Sequence, residues 1–244
     1  MLSRIIAGPV VGAAFLFASA PLGAADIRGV VSIKRLLTHR TVTAPAGLYQ
    51  RGPAVELGIG AEDDPLSYER SHVVVYLEAA PSLMGALHAE KALEVSIEQR
   101  DRRFVPDLVV VPAGSVVSFP NFDPVFHNVF SLSKAKSFDL GNYVKGETRR
   151  VSFLSPGVIA VYCHLHPNMA ASIVVTPNSF VARVERDGGF VLKDVPPGSY
   201  SLAAWHKTAG IFRQTIVQTG AGLSDVNFVV PYVEPPGASH VAHR

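Results

Sequence analysis

Two short stretches hold most of the side chains able to do chemistry. One is Val161-Tyr162-Cys163-His164-Leu165-His166-Pro167-Asn168-Met169, and the other is Asn121-Phe122-Asp123-Pro124-Val125-Phe126-His127-Asn128-Val129. Together they offer two imidazoles, one thiol and one thioether, at His127, Cys163, His166 and Met169. Soft sulfur with imidazole suits copper. Two His and one Cys in a trigonal array with a weak axial Met is the pattern of electron-transfer copper sites. His166 lies three residues after Cys163 and Met169 three after His166, so one turn can gather three ligands around one ion. Cys163 ends a strand expected over 158–163, and a further strand is expected over 172–176. Ligands held by strands change geometry little between Cu(I) and Cu(II), which favours fast one-electron transfer.

Bland readings compete with this one. A lone Cys is most often a small buried hydrophobe, and a lone Met most often fills a core gap. Here the chain's single Cys stands three residues from a His that stands three from a Met. Apart from Met1, the chain has only Met84 and Met169. The spacing therefore favours ligation. Adjacent residues in extended chain point to opposite sides, so His164 is expected to face away from the ion that Cys163 faces. His39, His72, His88, His206, His240 and His243 show no partner pattern. Nothing provides the oxyanion device that a cysteine hydrolase needs.

The elements that must position these residues read as strands. Short β-branched runs recur between Gly, Pro, Asn and Asp turns, and helical periodicity is weak except over 82–92. Strands are expected at 29–33, 72–78, 93–98, 108–111, 115–119, 149–154, 158–163 and 172–176. Others are expected at 181–185, 190–193, 199–205, 214–218 and 225–230. Such a pattern indicates an all-β sandwich or barrel. Residues 36–70 are rich in Gly, Pro and charge and are expected to form a long exposed loop. Residues 234–244 read as a flexible tail.

Composition narrows the class. The 244 residues include 22 Lys+Arg and 20 Asp+Glu, a net charge of +2 without a clustered basic face, which argues against nucleic acid as a partner. With 48% apolar and 17% charged residues, the chain can bury a core. One Cys excludes an internal disulfide framework and any zinc site built from several thiolates. Arg4, the apolar run 5–20 and the small residues Gly23-Ala24-Ala25 have the parts of a secretory signal, so residues 1–25 are expected to be removed on export. No later stretch approaches a membrane span, so none is expected after signal removal.

The segment 93–176 resembles a cupredoxin, the blue-copper fold of plastocyanin, pseudoazurin and amicyanin. The residues that carry the resemblance are VSIEQRDRRFVPDLVVVPAGSVVSFPNFDPVFHNVFS and GVIAVYCHLHPNM. They cover about a third of the chain, and the short Cys-x-x-His-x-x-Met loop is most similar to that of amicyanin. The resemblance implies a Greek-key sandwich and one type 1 copper ion held by His127, Cys163, His166 and Met169. It also implies that Asn128 braces the ligand loop. The outer ring edge of His166 would then carry electrons, within an apolar collar of Pro124, Phe126, Leu165 and Pro167 where partners dock. A second stretch, FVARVERDGGFVLKDVPPGSYSLAAWH, is similar to carboxypeptidase-regulatory-like, or transthyretin-like, β-sandwiches.

These resemblances imply a discontinuous organisation. Residues 26–92 and 178–233 would form one transthyretin-like sandwich, and 93–176 would be a copper domain inserted into it. The expected function is a periplasmic or secreted carrier of single electrons between redox proteins, not an enzyme. Alternatives are a copper-binding enzyme or sensor with an open coordination position, and a copper store.

Overall fold

The computed structural model describes residues 23–37, 64, 66–78 and 92–231. The flexible tail expected at 234–244, most of the secretory signal expected at 1–25 and of the loop expected at 36–70, and the helical turn expected at 82–92 (except Ala92) lie outside the described residues.

The described chain is all-β, as its turn-punctuated β-branched runs predict. The first part holds β1 (Ala25–Ile33), a single helical turn α1 (Ser67–Ser71) and β2 (Val73–Leu77). Ten strands follow: β3 (Glu94–Ser96), β4 (Glu98–Arg100), β5 (Arg103–Val105), β6 (Leu108–Pro112), β7 (Ser115–Pro120), β8 (His127–Ser133), β9 (Lys136–Tyr143), β10 (Thr148–Phe153), β11 (Gly157–Tyr162) and β12 (Ala170–Thr176). The last five are β13 (Val181–Arg183), β14 (Gly189–Val195), β15 (Gly198–His206), β16 (Gly210–Gln218) and β17 (Leu223–Val230).

Pairing divides these strands into two sets. Sheets in the order β14-β1-β17 and β13-β2-β15-β16 join the two ends of the described chain. Between them in sequence, the orders β10-β7-β3 and β6-β12-β11-β8-β9, with the separate β4-β5 hairpin, use only residues 94–176. Each set encloses its own apolar cluster. Ile27, Leu77, Leu192, Leu202 and Val230 belong to one. Val117, Phe119, Val161, Ile173 and also Cys163 and Met169 belong to the other. Alternation along each strand produces this: β12 turns Ala171, Ile173 and Val175 into the second cluster, with Val174 on its other face.

The two sets meet through a third cluster of Val74, Tyr76, Leu108, Val174, Ala203 and Trp205. Because β2 packs on both faces, all five of its residues, Val-Val-Val-Tyr-Leu, are buried. That is why it reads as an unbroken apolar run.

The expected exposed loop over 36–70 is corrected at its end. Residues 67–71 form α1, and Glu69 is buried there. Its carboxylate accepts from the Leu37 N–H at 3.0 Å and from His206 Nε2 at 3.0 Å, so a charged residue is held inside by partners rather than exposed. His206 Nδ1 accepts from the Thr208 and Ala209 N–H groups, which leaves its proton on Nε2 for Glu69. Burial favours neutral His206 and pushes its pKa down, against the pull of the Glu69 charge.

Candidate metal centre

His127 is the first residue of β8, and the turn before it is fixed by Asn121. That side chain is fully buried. Its amide donates to the Val125 and Tyr143 carbonyls at 2.9 and 3.1 Å, and its Oδ1 accepts from the Asp123 N–H at 2.9 Å. Cys163 follows the last residue of β11, and the loop 163–169 returns the chain to β12. The Met169 N–H donates to the His166 carbonyl at 2.9 Å and closes that loop.

The loop and the strand start bring three donor atoms together. His127 Nδ1 lies 3.0 Å from His166 Nδ1, and Cys163 Sγ lies 3.9 Å from the first and 3.7 Å from the second. Among the described residues, this His-Cys-His set is the one group of three or more His, Cys, Asp or Glu donors that converges within 4.8 Å. Met169 is 1% exposed and packs in the same cluster as Cys163. His127 and Cys163 are buried and His166 is half-buried.

The surroundings determine how the donors are presented. His127 Nε2 sits 2.7 Å from Asp123 Oδ2. An ionised carboxylate only accepts, so the His127 proton belongs on Nε2 and the Nδ1 lone pair faces Cys163 and His166. Burial pushes the Asp123 pKa up, but the Arg102 N–H, His127 and the Asp101 N–H outweigh it and hold the group below the usual carboxylate range. For His166, burial, then the nearby charges of His127 and Arg102, favour the neutral form over the opposing pull of Asp123.

Cys163 Sγ accepts a hydrogen bond from the Asn128 N–H at 3.4 Å. The Asn128 side chain reaches two other elements. Its amide donates to Asp139 Oδ1 on β9 at 2.6 Å, and its Oδ1 accepts from the His164 N–H at 3.5 Å. Asn128 thus ties β8, β9 and the loop together behind the sulfur. His164 points elsewhere: its ring stacks on Phe130 at 3.7 Å with a 4° interplanar angle, and its side chain is 55% exposed. Pro124, Phe126, Leu165 and Pro167 are exposed, and His166 is half-buried.

Sequence reasoning passed over Asp123, Asp139 and the Asp101–Arg102 turn. Only Asp123 carries a local signal, its position four residues before His127. The other two come to the site through strand pairing that spacing does not encode.

The donor set fits a single transition-metal ion. Two imidazole nitrogens and one sulfur bound at ordinary lengths of about 2.0 to 2.3 Å around one ion lie roughly 3.3 to 3.8 Å apart. The observed separations of 3.0, 3.7 and 3.9 Å are close to that. A thiolate with two imidazoles suits copper by softness, and zinc by the same donor atoms.

No protein-family model and no curated protein matches the chain. Among solved structures it is similar to a copper-containing nitrite reductase from Thermus scotoductus, at 25% identity and a TM-score of 0.33 over 40% of this chain; it spans about a quarter (26%) of that protein. It is similar to a purple cupredoxin from Nitrosopumilus maritimus, at 24% identity and a TM-score of 0.30, over 35% of this chain and 100% of that one. Amicyanin from Paracoccus versutus matches at 20% identity and a TM-score of 0.32, over 43% of this chain and 97% of that one.

Proposed function

We propose that this chain holds one type 1 copper ion at His127, Cys163 and His166, with Met169 as the weak axial donor, and carries single electrons between redox proteins. The observation behind this reading is the convergence of two imidazole Nδ1 atoms and one thiol sulfur, on two buried residues and one half-buried one. A copper ion bound there would supply a Cu(II)/Cu(I) couple.

The chain's own residues supply the rest. Strands β8, β11 and β12 hold the donors in place through a change of oxidation state. Asn128 N–H donates to the sulfur and restrains its position. Half-buried His166 would bring the site to the surface, with exposed Pro124, Phe126, Leu165 and Pro167 proposed as its docking collar. A small apolar face suits the brief contacts a carrier makes.

A carrier is favoured over a catalyst on the reading of Met169, buried in the same apolar cluster as Cys163, as a fourth donor that would leave no coordination position open. The partners are proposed to be periplasmic redox proteins, on the strength of the N-terminal export pattern. No helix among the described residues is long and apolar enough to cross a membrane.

The test is the visible spectrum of the purified protein after addition of Cu(II). An intense thiolate-to-copper band, unchanged by azide or nitrite, is expected. Tight copper binding without colour would replace the carrier reading with storage. A coloured site whose spectrum shifts with azide would favour a catalyst or sensor.

A further inference from the structure

The β4-β5 hairpin turns on two residues, Asp101 and Arg102, with φ of +53° and +54°. A two-residue turn with both central φ positive is normally built from Asn-Gly or Gly-Gly, because the left-handed region is costly for a residue with a Cβ. Arg is poorly suited to it. The turn nevertheless points two consecutive backbone N–H groups at one carboxylate. The Asp101 N–H donates to Asp123 Oδ1 at 2.7 Å and the Arg102 N–H to Asp123 Oδ2 at 2.8 Å. Successive N–H groups in this conformation form a concave anion cradle. The third group on the carboxylate is His127 Nε2, at 2.7 Å. All three neighbours are donors, so Asp123 is bound as an acceptor on every side.

We propose that the Asp101–Arg102 turn and Asp123 form a clamp that sets the tautomer of His127 before any metal arrives, with the proton on Nε2 and the Nδ1 lone pair aimed at Cys163 and His166. Asp123 is a positioning residue, and the turn positions Asp123. Outer hydrogen-bond partners of this kind typically change metal affinity 10- to 100-fold when removed; that part rests on the copper reading, whereas the tautomer does not.

The experiment is ¹⁵N NMR of the full-length, metal-free protein labelled at histidine, which distinguishes protonated from unprotonated ring nitrogens. His127 is expected to show a protonated Nε2 and a bare Nδ1. In Asp123→Ala the His127 signals should collapse toward a tautomer mixture, and Cu(II) affinity should fall about 10- to 100-fold. Inserting two glycines between Asp101 and Arg102 leaves Asp123 in place but scatters the cradle, and should weaken the same preference. A wild-type His127 protonated on Nδ1, or an even mixture, overturns the proposal even if neither variant folds. A single Nε2–H tautomer surviving in folded Asp123→Ala also overturns it. One surviving the insertion removes the turn from the clamp. The expected tautomer in a protein that binds no copper would sink the copper reading and leave the clamp standing.

Discussion

Met169 separates a copper-holding residue from a packing residue. It is buried in the same cluster as Cys163, and either role needs that burial. The roles part on substitution. Met169→Leu keeps the volume and apolar character, so stability should change by less than about 1.5 kcal/mol. A weak axial donor to Cu(II) is lost, so the reduction potential should rise while the colour stays. An unchanged potential in voltammetry would return Met169 to the core. Cys163→Ser should abolish the visible band altogether. His164→Ala should leave it, since that ring stacks on Phe130 with its side chain largely in solvent. Cys163 and His166 were legible from their spacing, whereas His127, 36 residues from Cys163 in sequence, was legible mainly through the family resemblance. Asp123 was not, because its role depends on a hairpin tip that sits twenty-odd residues upstream and is brought in by folding.

At the level of elements, β1 has the least room. It lies between β14, antiparallel, and β17, parallel, and joins the two ends of the described chain. Gly29 is the residue that permits this. A Cβ there would come within 2.0 Å of the Val226 carbonyl oxygen and 2.6 Å of the Phe190 ring. Gly29→Ala should therefore cost about 1–3 kcal/mol or more through overpacking, measured as a lower denaturant midpoint. A neutral effect would mean that β1 sits less tightly than the distances imply. The sequence pattern anticipates β1 only from 29 onward, since Ala25-Asp26-Ile27-Arg28 lacks β-branched density. It also misses β5 and β9 outright. In β9 the residues Asp139, Gly141 and Asn142 are turn formers by composition, yet the strand survives on pairing with β8. The start of β8, His-Asn, is anticipated only as the end of an unbounded strand after the Pro124 turn. The short α1 is equally invisible, with no side-chain cap and one buried acid. Where alternation or a continuous apolar run was strong, as in β2, β7 and β15, expectation and structure coincide.

At the scale of the whole described chain, the two strand sets meet through an apolar junction, with a polar contact beside it. The polar contact runs from the α1 end to the residue before β6. Asp107 accepts from Tyr68 Oη at 3.1 Å and lies 3.1 Å from His72 Nε2, and the His72 hydrogen bond chiefly pulls the Asp107 pKa down to about 2. The apolar part centres on Trp205, which is 6% exposed and the chain's only Trp. Its fluorescence reports on the junction, while the proposed copper band would report on the second set. In the intact chain the two signals should lose their folded values together on denaturant titration, because neither set can leave without exposing the junction faces of β2, β12 and β15. Leu108, 2% exposed, sits in that junction, outside the cluster that contains Cys163 and Met169. Leu108→Ala should cost about 2–5 kcal/mol if the cavity does not close. The loss should fall on the coupling, so the Trp205 transition should move to lower denaturant than the absorbance transition, with the spectrum itself unchanged. Coincident but equally shifted transitions would show a single cooperative unit. Separate transitions already present in the wild type would show that the junction couples nothing, and that the set 94–176 folds independently of the strands that flank it in sequence.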